Sequence, residues 1–237
     1  MTRAISVIIP TLNEAKQLPR TLANVRAALP DAEIIIADGG SADGTLHLAL
    51  PAGTLLLLTA PGRGQQLATG AALAQGRLLL FLHADTTLPA NAAAVLSRAF
   101  ANDQTLIGSF RLRFDGGGWF LRACAWFTRF DSVFTRFGDQ GIVIRRDFYA
   151  TLGGFPQWPL FEDVELLRRA RRLTRVHSFP AAVTTSARRF HRQGPLRRQF
   201  RNAGLLLRFL FGTPPEQLSA EYRPEPVPPA RARSLLS

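Results

Sequence analysis

Three acidic motifs in the chain could carry chemistry. The first is DGGSADGT at residues 38–45, whose glycines allow turns that bring backbone amides and carboxylates close to a ligand. The second is HAD at residues 83–85, where a carboxylate could hold a divalent metal against a diphosphate. The third is Glu162-Asp163, where a deprotonated carboxylate could accept the proton of an attacking hydroxyl without any cofactor.

Each motif also has a purely structural interpretation. Ser41 or Asp43 could be the N-cap of a strand-to-helix turn, and Asp85 could cap a helix that starts near Pro89. Glu162 and Asp163 precede a predicted helix over residues 164–172, where the helix dipole favours negative charge. Single motifs therefore leave both interpretations open.

The elements around the motifs predict an α/β layered domain with a mainly parallel sheet. Apolar runs at residues 5–9, 33–37, 54–59 and 77–82 are typical of strands buried on both faces, and residues 14–29 and 63–75 have helical spacing between them. In such sheets ligands gather at the carboxyl ends of the strands. These ends are residues 10–14, 38–45 and 83–86, which are all polar.

The second half of the chain is less regular. Residues 107–114 and 141–144 are predicted strands. GDQG at residues 138–141 is either a turn into the second of these strands or a group that faces a substrate. The aromatic stripe from Trp119 to Phe137 could line a groove, but such a stripe is more typical of a core.

Composition limits the class of protein. The chain has 237 residues, 46% of them hydrophobic, and a formal charge of +12 that comes almost entirely from arginine, because Lys16 is the only lysine. Arginine suits phosphate, so an acidic partner is expected, whether nucleic acid, anionic lipid or a phosphorylated small molecule. Cys124 is the only cysteine, which excludes an internal disulfide or a thiolate zinc cluster and fits a reducing compartment. Apolar runs are too short for a spanning helix.

The motifs together resemble the family 2 glycosyltransferases over about residues 5–172. SVIIPTLNE at residues 6–14 is similar to that family's first strand and donor loop, and residues 38–45 to its nucleotide-binding turn. GRG at residues 62–64 with the helix after it, LHAD at 82–85 and FED at 161–163 are similar to its loop-and-helix, metal and base motifs. All of them follow in the family's order.

The resemblance implies a GT-A fold, a nucleotide-sugar donor, a divalent metal (Mg²⁺ or Mn²⁺) and inverting transfer of a sugar to a hydroxyl. It implies metal binding by Asp85, with Asp163 as the base and Glu162 beside it in the catalytic motif. The nucleotide-binding residues that it implies are Pro10, Thr11, Asn13, Glu14, Asp38, Gly40, Ser41, Asp43, Arg63, Gly64, His83 and Ala84.

Two departures from the family pattern matter. The metal motif usually reads Asp-x-Asp, but His83 stands in place of the first Asp, so Asp85 must do more of the binding. His83 could contact nucleotide or metal as a neutral imidazole, or simply pack. The Gln-x-x-Arg-Trp motif of processive synthases is missing around Gln193 and Gln199, which favours transfer of a single sugar. LHAD and the short length resemble a small bacterial branch of the family.

Two other classes compete with this interpretation. A nucleotidyltransferase acting on sugar phosphates would share the layered fold, but it usually opens with a glycine-rich loop where this chain has residues 10–13. A nucleic-acid-binding protein would explain the charge of +12, but the ordered carboxylates would repel phosphate unless a metal intervened. No nucleic-acid partner is therefore expected.

We expect one GT-A-like domain over residues 1–213, with a donor half to about residue 105, an acceptor half over 106–213, and a proline-rich disordered tail at 214–237. Residues 196–211 predict a basic amphipathic helix whose apolar face holds Leu196, Phe200, Ala203, Leu207, Leu210 and Phe211. This face could pack on the domain or lie in an anionic lipid interface next to a lipid-linked acceptor. The expected location is the cytoplasm, with peripheral contact at the inner face of the plasma membrane.

Overall fold

The structure is a computed structural model that describes residues 4–116, 118–186 and 195–222. Its first half alternates strands and helices: β1 (Ile5–Thr11), α1 (Leu18–Ala28), β2 (Glu33–Asp38), β3 (Thr54–Leu58), α2 (Arg63–Leu73), β4 (Leu78–Phe81), β5 (Thr86–Thr87) and α3 (Ala92–Ala99). The second half holds β6 (Ile107–Phe114), α4 (Trp119–Phe127), β7 (Ile142–Arg145), α5 (Arg146–Thr151), α6 (Glu162–Arg171), β8 (His177–Thr185), α7 (Pro195–Leu210) and α8 (Pro215–Glu221).

The strands form one sheet in the order β3-β2-β1-β4-β7-β6-β8-β5. β3, β2, β1 and β4 pair in parallel, as do β6 and β8, whereas β7 runs antiparallel to both β4 and β6. β6 therefore points the same way as β1, β2 and β4. The carboxyl ends of these strands form a single edge, here called the carboxyl edge.

Alternation along β1 explains the layers. Val7 and Ile9 pack on one face of the sheet with α1 and α3, and Ile8 packs on the other face with α2, α5 and α6. Because both faces are covered, every side chain of β2 is buried, as a parallel sheet requires. The α/β class, the mostly parallel sheet and the four predicted strands of the first half are confirmed.

Helix α1 begins later than its sequence predicts. Residues 14–17 form a turn, in which Gln17 and Leu18 donate backbone N–H groups to the Glu14 carbonyl at 3.0 and 2.9 Å. The helix itself starts at Leu18 with Pro19 in its first turn, where proline costs no hydrogen bond. The turn before it is used by the donor loop, as described below.

The aromatic segment is not a core stripe. Leu121 of α4 is buried, whereas Trp126 and Phe127 in the helix and Phe130 and Phe134 after it are between 47% and 55% exposed. The prediction that this stripe packs inside the domain was therefore wrong, because helical spacing shows that a stripe exists but not which side the sheet covers.

The amphipathic helix α7 also packs on an unexpected face. Leu205 and Leu206 are buried, and Phe209 stacks on Phe161 with ring centroids 5.0 Å apart. The apolar stripe that the sequence singles out is exposed, with Phe200 at 76% and Phe211 at 88%. The Leu196, Arg197 and Arg198 side chains lie outside the described residues.

The proline-rich end contains an element. α8 starts at Pro215 and buries Leu218 completely, so the chain is helical within the segment where a disordered tail was predicted. Proline in the first helical turn removes only an N–H group that has no partner there anyway. Residues 223–237 lie outside the described residues.

Two glycines in helices differ in their surroundings and provide a test of the packing. A Cβ on Gly70 of α2 would lie 2.6 Å from Ile8 Cγ2, whereas a Cβ on Gly204 of α7 would meet nothing within 4 Å. We expect Gly70→Ala to lower the free energy of unfolding by about 1–3 kcal/mol through overpacking. Gly204→Ala should raise it by about 0.5–1 kcal/mol through helix propensity. Urea unfolding measures both, and stabilisation by Gly70→Ala would contradict the close approach of α2 to β1.

Candidate active site

Asp38 organises the loop that follows β2. Its carboxylate is completely buried and accepts four hydrogen bonds, from Thr11 Oγ1 (2.8 Å), Ser41 Oγ (2.6 Å), Gly40 N (2.9 Å) and Ser41 N (2.7 Å). A carboxylate with this many donors compensates for the loss of water. The structure thus places Asp38 beneath the loop, where its hydrogen bonds fix the turn that contains the exposed Gly40.

The loops after β1 and β2 are joined by reciprocal hydrogen bonds. Asn13, whose backbone is left-handed at φ 58°, receives a bond from Ala42 N and donates its own N–H to Ser41 Oγ, both at 2.8 Å. Glu14 N donates to Thr45 Oγ1 at 3.0 Å. Asparagine tolerates this backbone region better than most residues. The structure therefore brings the predicted donor loop and nucleotide turn together as one surface.

Asp43 closes the same surface. Its carboxylate accepts bonds from Ala15 N (3.0 Å), Thr45 N (3.1 Å) and Thr45 Oγ1 (2.5 Å). Desolvation by burial acts to raise the pKa of Asp43, but these hydrogen bonds favour the charged form and outweigh it, so the pKa is lowered. Asp43 is charged at neutral pH and holds the two loops together.

Gln66 ties the ends of β1 and β2 together, a role that the motif search missed. Its Nε2 donates to the Thr11 carbonyl at 2.7 Å and to the Ala37 carbonyl at 2.8 Å. The residue is buried in α2, two residues after Gly64, and buried amides need partners. The sequence has no local signal for this role, because the two carbonyls that Gln66 reaches are distant along the chain.

Gly64 serves packing rather than providing open space for a phosphate. A Cβ at this position would lie 2.3 Å from the Pro156 carbonyl oxygen and 2.6 Å from that of Trp158. The Gly64 N–H donates to the Trp158 carbonyl at 3.3 Å. The glycine thus lets α2 approach the segment before α6 closely enough for Arg63 to reach the acids of that helix.

Arg63 forms ion pairs with both acids of the third motif. Its Nε pairs with Glu162 Oε1, and its Nη2 lies 3.8 Å from Asp163 Oδ1. Burial opposes the charge of Arg63, but Glu162 and Asp163 outweigh it and raise the pKa of the guanidinium. The family resemblance implied that Arg63 binds the nucleotide. In the structure Arg63 pairs with Glu162 and Asp163, and 35% of its side chain remains exposed to solvent.

Glu162 is completely buried, and its Oε2 has no hydrogen-bond partner among the described residues. Burial raises the pKa of Glu162, Arg63 opposes this, and the neighbouring Asp163 adds to it. In the structure Glu162 contacts Arg63, and its direct role in catalysis stays a prediction.

Asp163 has the geometry of a positioned carboxylate. It lies in the first turn of α6, where Oδ2 accepts the Gly138 N–H at 2.5 Å and Oδ1 accepts the Val164 N–H at 2.8 Å. Each carboxylate oxygen keeps a further lone pair, so these bonds orient the group without using all of its capacity. The residue before the helix, Phe161, is left-handed at φ 63°, a conformation that costs energy in a non-glycine residue and is typical of functional sites.

Asp139 belongs to the same cluster. Its Oδ1 is buried and has no hydrogen-bond partner among the described residues. Burial, together with the charges of Asp163 and Asp85 and against that of Arg63, raises the pKa of Asp139 to about 7. The charges of Asp85 and Asp163 both act on Asp139, so the three carboxylates lie in one region of the structure. GDQG forms a turn that leads into β7, and the interpretation that it faces a substrate stays a prediction.

The oxygen atoms around Asp85 suit a hard divalent cation that takes most of its ligands from a bound phosphate and from water. Asp85 is half-buried just after β4, and Thr185 Oγ1 donates to its Oδ1 at a long 3.5 Å. Within residues 4–116, 118–186 and 195–222, no group of three or more His, Cys, Asp or Glu side chains is arranged to hold a metal. Mg²⁺ commonly binds one or two carboxylates and completes its shell with phosphate oxygens and water. Asp85 and the partnerless Asp139 oxygen fit such a site.

The remaining two residues of the second motif differ in position. Ala84 is buried, and its carbonyl accepts a bond from Thr21 Oγ1 at 2.7 Å, so it anchors the strand end to α1. His83 is half-buried and has an interaction partner within the structure. Pro10 and Thr11 end β1 at the carboxyl edge. The predicted site residues thus lie at one edge of the sheet, although several of them form hydrogen bonds within the loops.

Comparison with known proteins adds the decisive observation. Residues 6–152 match the family model described as "Glycosyl transferase family 2". The chain belongs to glycosyl transferase family 2. That match ends before Glu162, so the assignment of the acids in α6 depends on the geometry above.

Curated relatives and solved structures agree with this membership. Over 98 residues the family 2 chain is 38% identical to the "PGL/p-HBAD biosynthesis glycosyltransferase" of Mycobacterium bovis (strain BCG / Pasteur 1173P2) and to that of Mycobacterium tuberculosis (strain ATCC 25177 / H37Ra). The match spans 35% of this chain and only about a third, 36%, of those relatives.

Among solved structures, Staphylococcus aureus TarS 1-349 in complex with UDP-GlcNAc superposes with a TM-score of 0.62 at 17% identity, over 77% of this chain and 58% of that one. The mannosyltransferase PcManGT from Pyrobaculum calidifontis, in complex with GDP-Man and Mn²⁺, gives a TM-score of 0.57 at 22% identity, over 92% and 68%. At such identities the likeness concerns the fold, and it confirms the expected GT-A architecture.

The raised pKa of Asp139 predicts a pH-dependent stability. The folded protein holds this proton up to about pH 7, whereas an unfolded chain releases it near pH 4. The free energy of unfolding should therefore fall as the pH rises between these values. We expect Asp139→Asn, which has no charge to bury, to gain stability relative to the unsubstituted protein on going from about pH 4 to about pH 8.

Urea unfolding in the presence of a chelator measures this difference, with the exposed Asp31→Asn as a control that should show none. A gap between Asp139→Asn and the unsubstituted protein that stays constant with pH would mean that Asp139 ionises normally.

Proposed function

We propose that the chain is a metal-dependent, inverting glycosyltransferase that moves one sugar from a nucleotide-sugar donor to a hydroxyl acceptor. The observation that carries the proposal is the position of Asp163 at the carboxyl edge, oriented by two backbone N–H groups and lying within 4 Å of Arg63. Family membership supports glycosyl transfer over the nucleotidyltransferase and nucleic-acid-binding alternatives. It does not choose the sugar, the base or the acceptor.

In this proposal Asp163 is the general base. As the acceptor hydroxyl oxygen forms a bond to the anomeric carbon, its proton moves to a free lone pair of Asp163, and the bond from that carbon to the diphosphate oxygen breaks. Attack opposite the leaving group inverts the anomeric centre. Arg63, whose Nη2 lies 3.8 Å from Asp163 Oδ1, would help to hold the Asp163 carboxylate in place.

The other residues have supporting roles in the same step. The joined loops around Asn13 and Ser41 would receive the nucleotide, and Asp38 and Asp43 would hold those loops in place. Asp85, with Asp139 beside it, would hold a Mg²⁺ or Mn²⁺ ion. Such an ion, when bound, offsets the charge that develops on the departing diphosphate.

The base is tested by Asp163→Asn, which keeps the shape but cannot take the proton. We expect turnover to fall by about 100-fold or more, with little change in donor affinity. Asp147→Asn is a matched control, because Asp147 also lies in the first turn of a helix and accepts the next backbone N–H, at 2.7 Å, but α5 starts at the opposite edge of the sheet. Near-normal turnover in Asp163→Asn would require another base.

Metal dependence is tested by calorimetry with a nucleoside diphosphate and Mg²⁺ or Mn²⁺. We expect a chelator, or Asp85→Ala, to weaken binding by about tenfold or more, because an ion held by Asp85 would offset the negative charge of the diphosphate. Asp115 lines the same crevice as Asp85, so Asp115→Ala is the control and should bind normally. Equal affinity with and without the chelator would refute the role of the metal.

We further propose that the acceptor is lipid-linked and that α7 lies on an anionic membrane. Two observations support this: the stripe of Phe200, Leu207, Leu210 and Phe211 is exposed, and the opposite face of α7 packs on the domain. A helix seated in this way can bury its outer face among acyl chains. Within the described ranges no helix is long and apolar enough to cross a bilayer. The single cysteine fits a reducing compartment, so the proposed location is the inner face of the plasma membrane.

Flotation with vesicles tests the outer face of α7. We expect the protein to float with anionic vesicles and not with neutral ones, and Leu207→Ser/Phe211→Ser to lose most of this binding while keeping its thermal stability, since both side chains are exposed. Arg197→Gln/Arg198→Gln/Arg201→Gln should weaken binding in a salt-sensitive way. A protein that never floats would refute the membrane contact.

A further inference from the structure

A second exposed apolar surface lies on α4 and the turn after it. Trp126, Phe127 and Phe130 pack against one another with ring centroids 5.2–6.4 Å apart, yet each is about half exposed, and so is Phe134. We call these four residues the aromatic surface. Large aromatic groups that cluster at the surface mark contact sites, because isolated domains seldom leave them in water.

The aromatic surface is connected to the carboxyl edge. α4 follows the carboxyl end of β6, and the chain after it returns to the turn at Gly138–Gln140. This return is fixed by hydrogen bonds from Thr135 Oγ1 to the Phe130 carbonyl at 2.7 Å and from Gln140 Nε2 to the Thr135 carbonyl at 2.6 Å. Within the turn at Gly138–Gln140, the Gly138 N–H donates a hydrogen bond to Asp163 Oδ2. The surface is therefore tied directly to the turn that orients Asp163.

The charges beside the aromatic surface are positive. Arg129 lies over the Trp126 ring, 4.8 Å from its centre, and is exposed, as is Arg122 of α4. The nearby acid, Asp131, is paired with Arg171 at 2.8 Å and with Arg136 at 3.4 Å. Aromatic rings combined with exposed arginines match the interfacial layer of an anionic bilayer, where rings lie at headgroup depth and arginines meet phosphates.

We infer that the aromatic surface inserts into the interface of an anionic lipid bilayer and so presents the carboxyl edge to the membrane. This inference rests on the proposed function, because it is the lipid-linked acceptor that gives a reason to hold Asp163 at the bilayer. A second copy of the chain suits the surface less well, since two such patches would bring Arg122 and Arg129 of each copy together. With α7, the enzyme would have two membrane contacts.

Tryptophan fluorescence tests this contact directly, because the chain has three tryptophans. In Trp119→Phe/Trp158→Phe the signal comes from Trp126 alone. In Trp119→Phe/Trp126→Phe it comes from Trp158, which packs beneath α7 against Phe209. Both are mixed with vesicles of phosphatidylcholine and phosphatidylglycerol whose acyl chains carry bromine, and with the same vesicles without bromine. Circular dichroism checks that both variants fold.

We expect brominated chains to quench Trp126 emission by about twofold or more and Trp158 much less, since only the former would reach the acyl boundary. Arg122→Gln/Arg129→Gln should weaken vesicle binding by about tenfold or more. Arg77→Gln/Arg98→Gln removes the same charge from exposed positions just before β4 and in the last turn of α3, at the opposite edge of the sheet, and should weaken it less.

Three results would overturn the inference. The first is that Trp126 emission is not quenched although the protein floats with vesicles, and the second is that both arginine variants lose the same amount of vesicle binding. The third is that the protein does not bind lipid but self-associates, and that Phe127→Ser abolishes the self-association. Failure of the proposed function is distinguishable. Quenching of Trp126 without sugar transfer from any donor would support the membrane contact and refute the proposed function. Transfer to a water-soluble acceptor without quenching would support the proposed function and refute the membrane contact.

Discussion

The ion pairs of Arg63 with Glu162 and Asp163 are the interaction on which the site depends. They connect the first turn of α2 with the first turn of α6, which come from the two halves of the chain. Glu162 is completely buried, so removing Arg63 would leave a buried carboxylate without its compensating charge. Gly64 allows the close approach that the pairs need, and Phe161 takes a strained backbone to start α6 at this place.

The acids of the carboxyl edge divide into two kinds by what they touch. Asp38 and Asp43 accept hydrogen bonds from the loops around them, and Glu162 pairs with Arg63 through one oxygen. Asp139 is affected by the charges of Asp85 and Asp163, and its Oδ1 has no hydrogen-bond partner among the described residues. A motif in the sequence shows only that an acid is present. The hydrogen bonds show which acids remain available for a metal, a nucleotide or a proton.

The sequence predicted the layered fold, the carboxyl edge and the three motifs, because strands buried on both faces and turns with glycine leave local signals. It did not predict the contact of Gln66 with β1 and β2 or the pairing of Arg63 with the acids, since both join residues that are distant along the chain. It also misjudged α4 and α7. Each of these helices has apolar residues on more than one side, as Leu205 and Phe211 of α7 show, and periodicity alone cannot say which side the sheet covers.

We propose that Asp85 binds the metal and that Asp163 accepts the proton. The most direct measurement is the anomalous scattering of manganese in crystals of the full chain grown with Mn²⁺ and a nucleoside diphosphate. The account predicts one peak within about 2.5 Å of a carboxylate oxygen of Asp85, bridged to the diphosphate, with no peak on Asp163. A manganese ion bound to Asp163, or a diphosphate bound without any ion near Asp85, would contradict it.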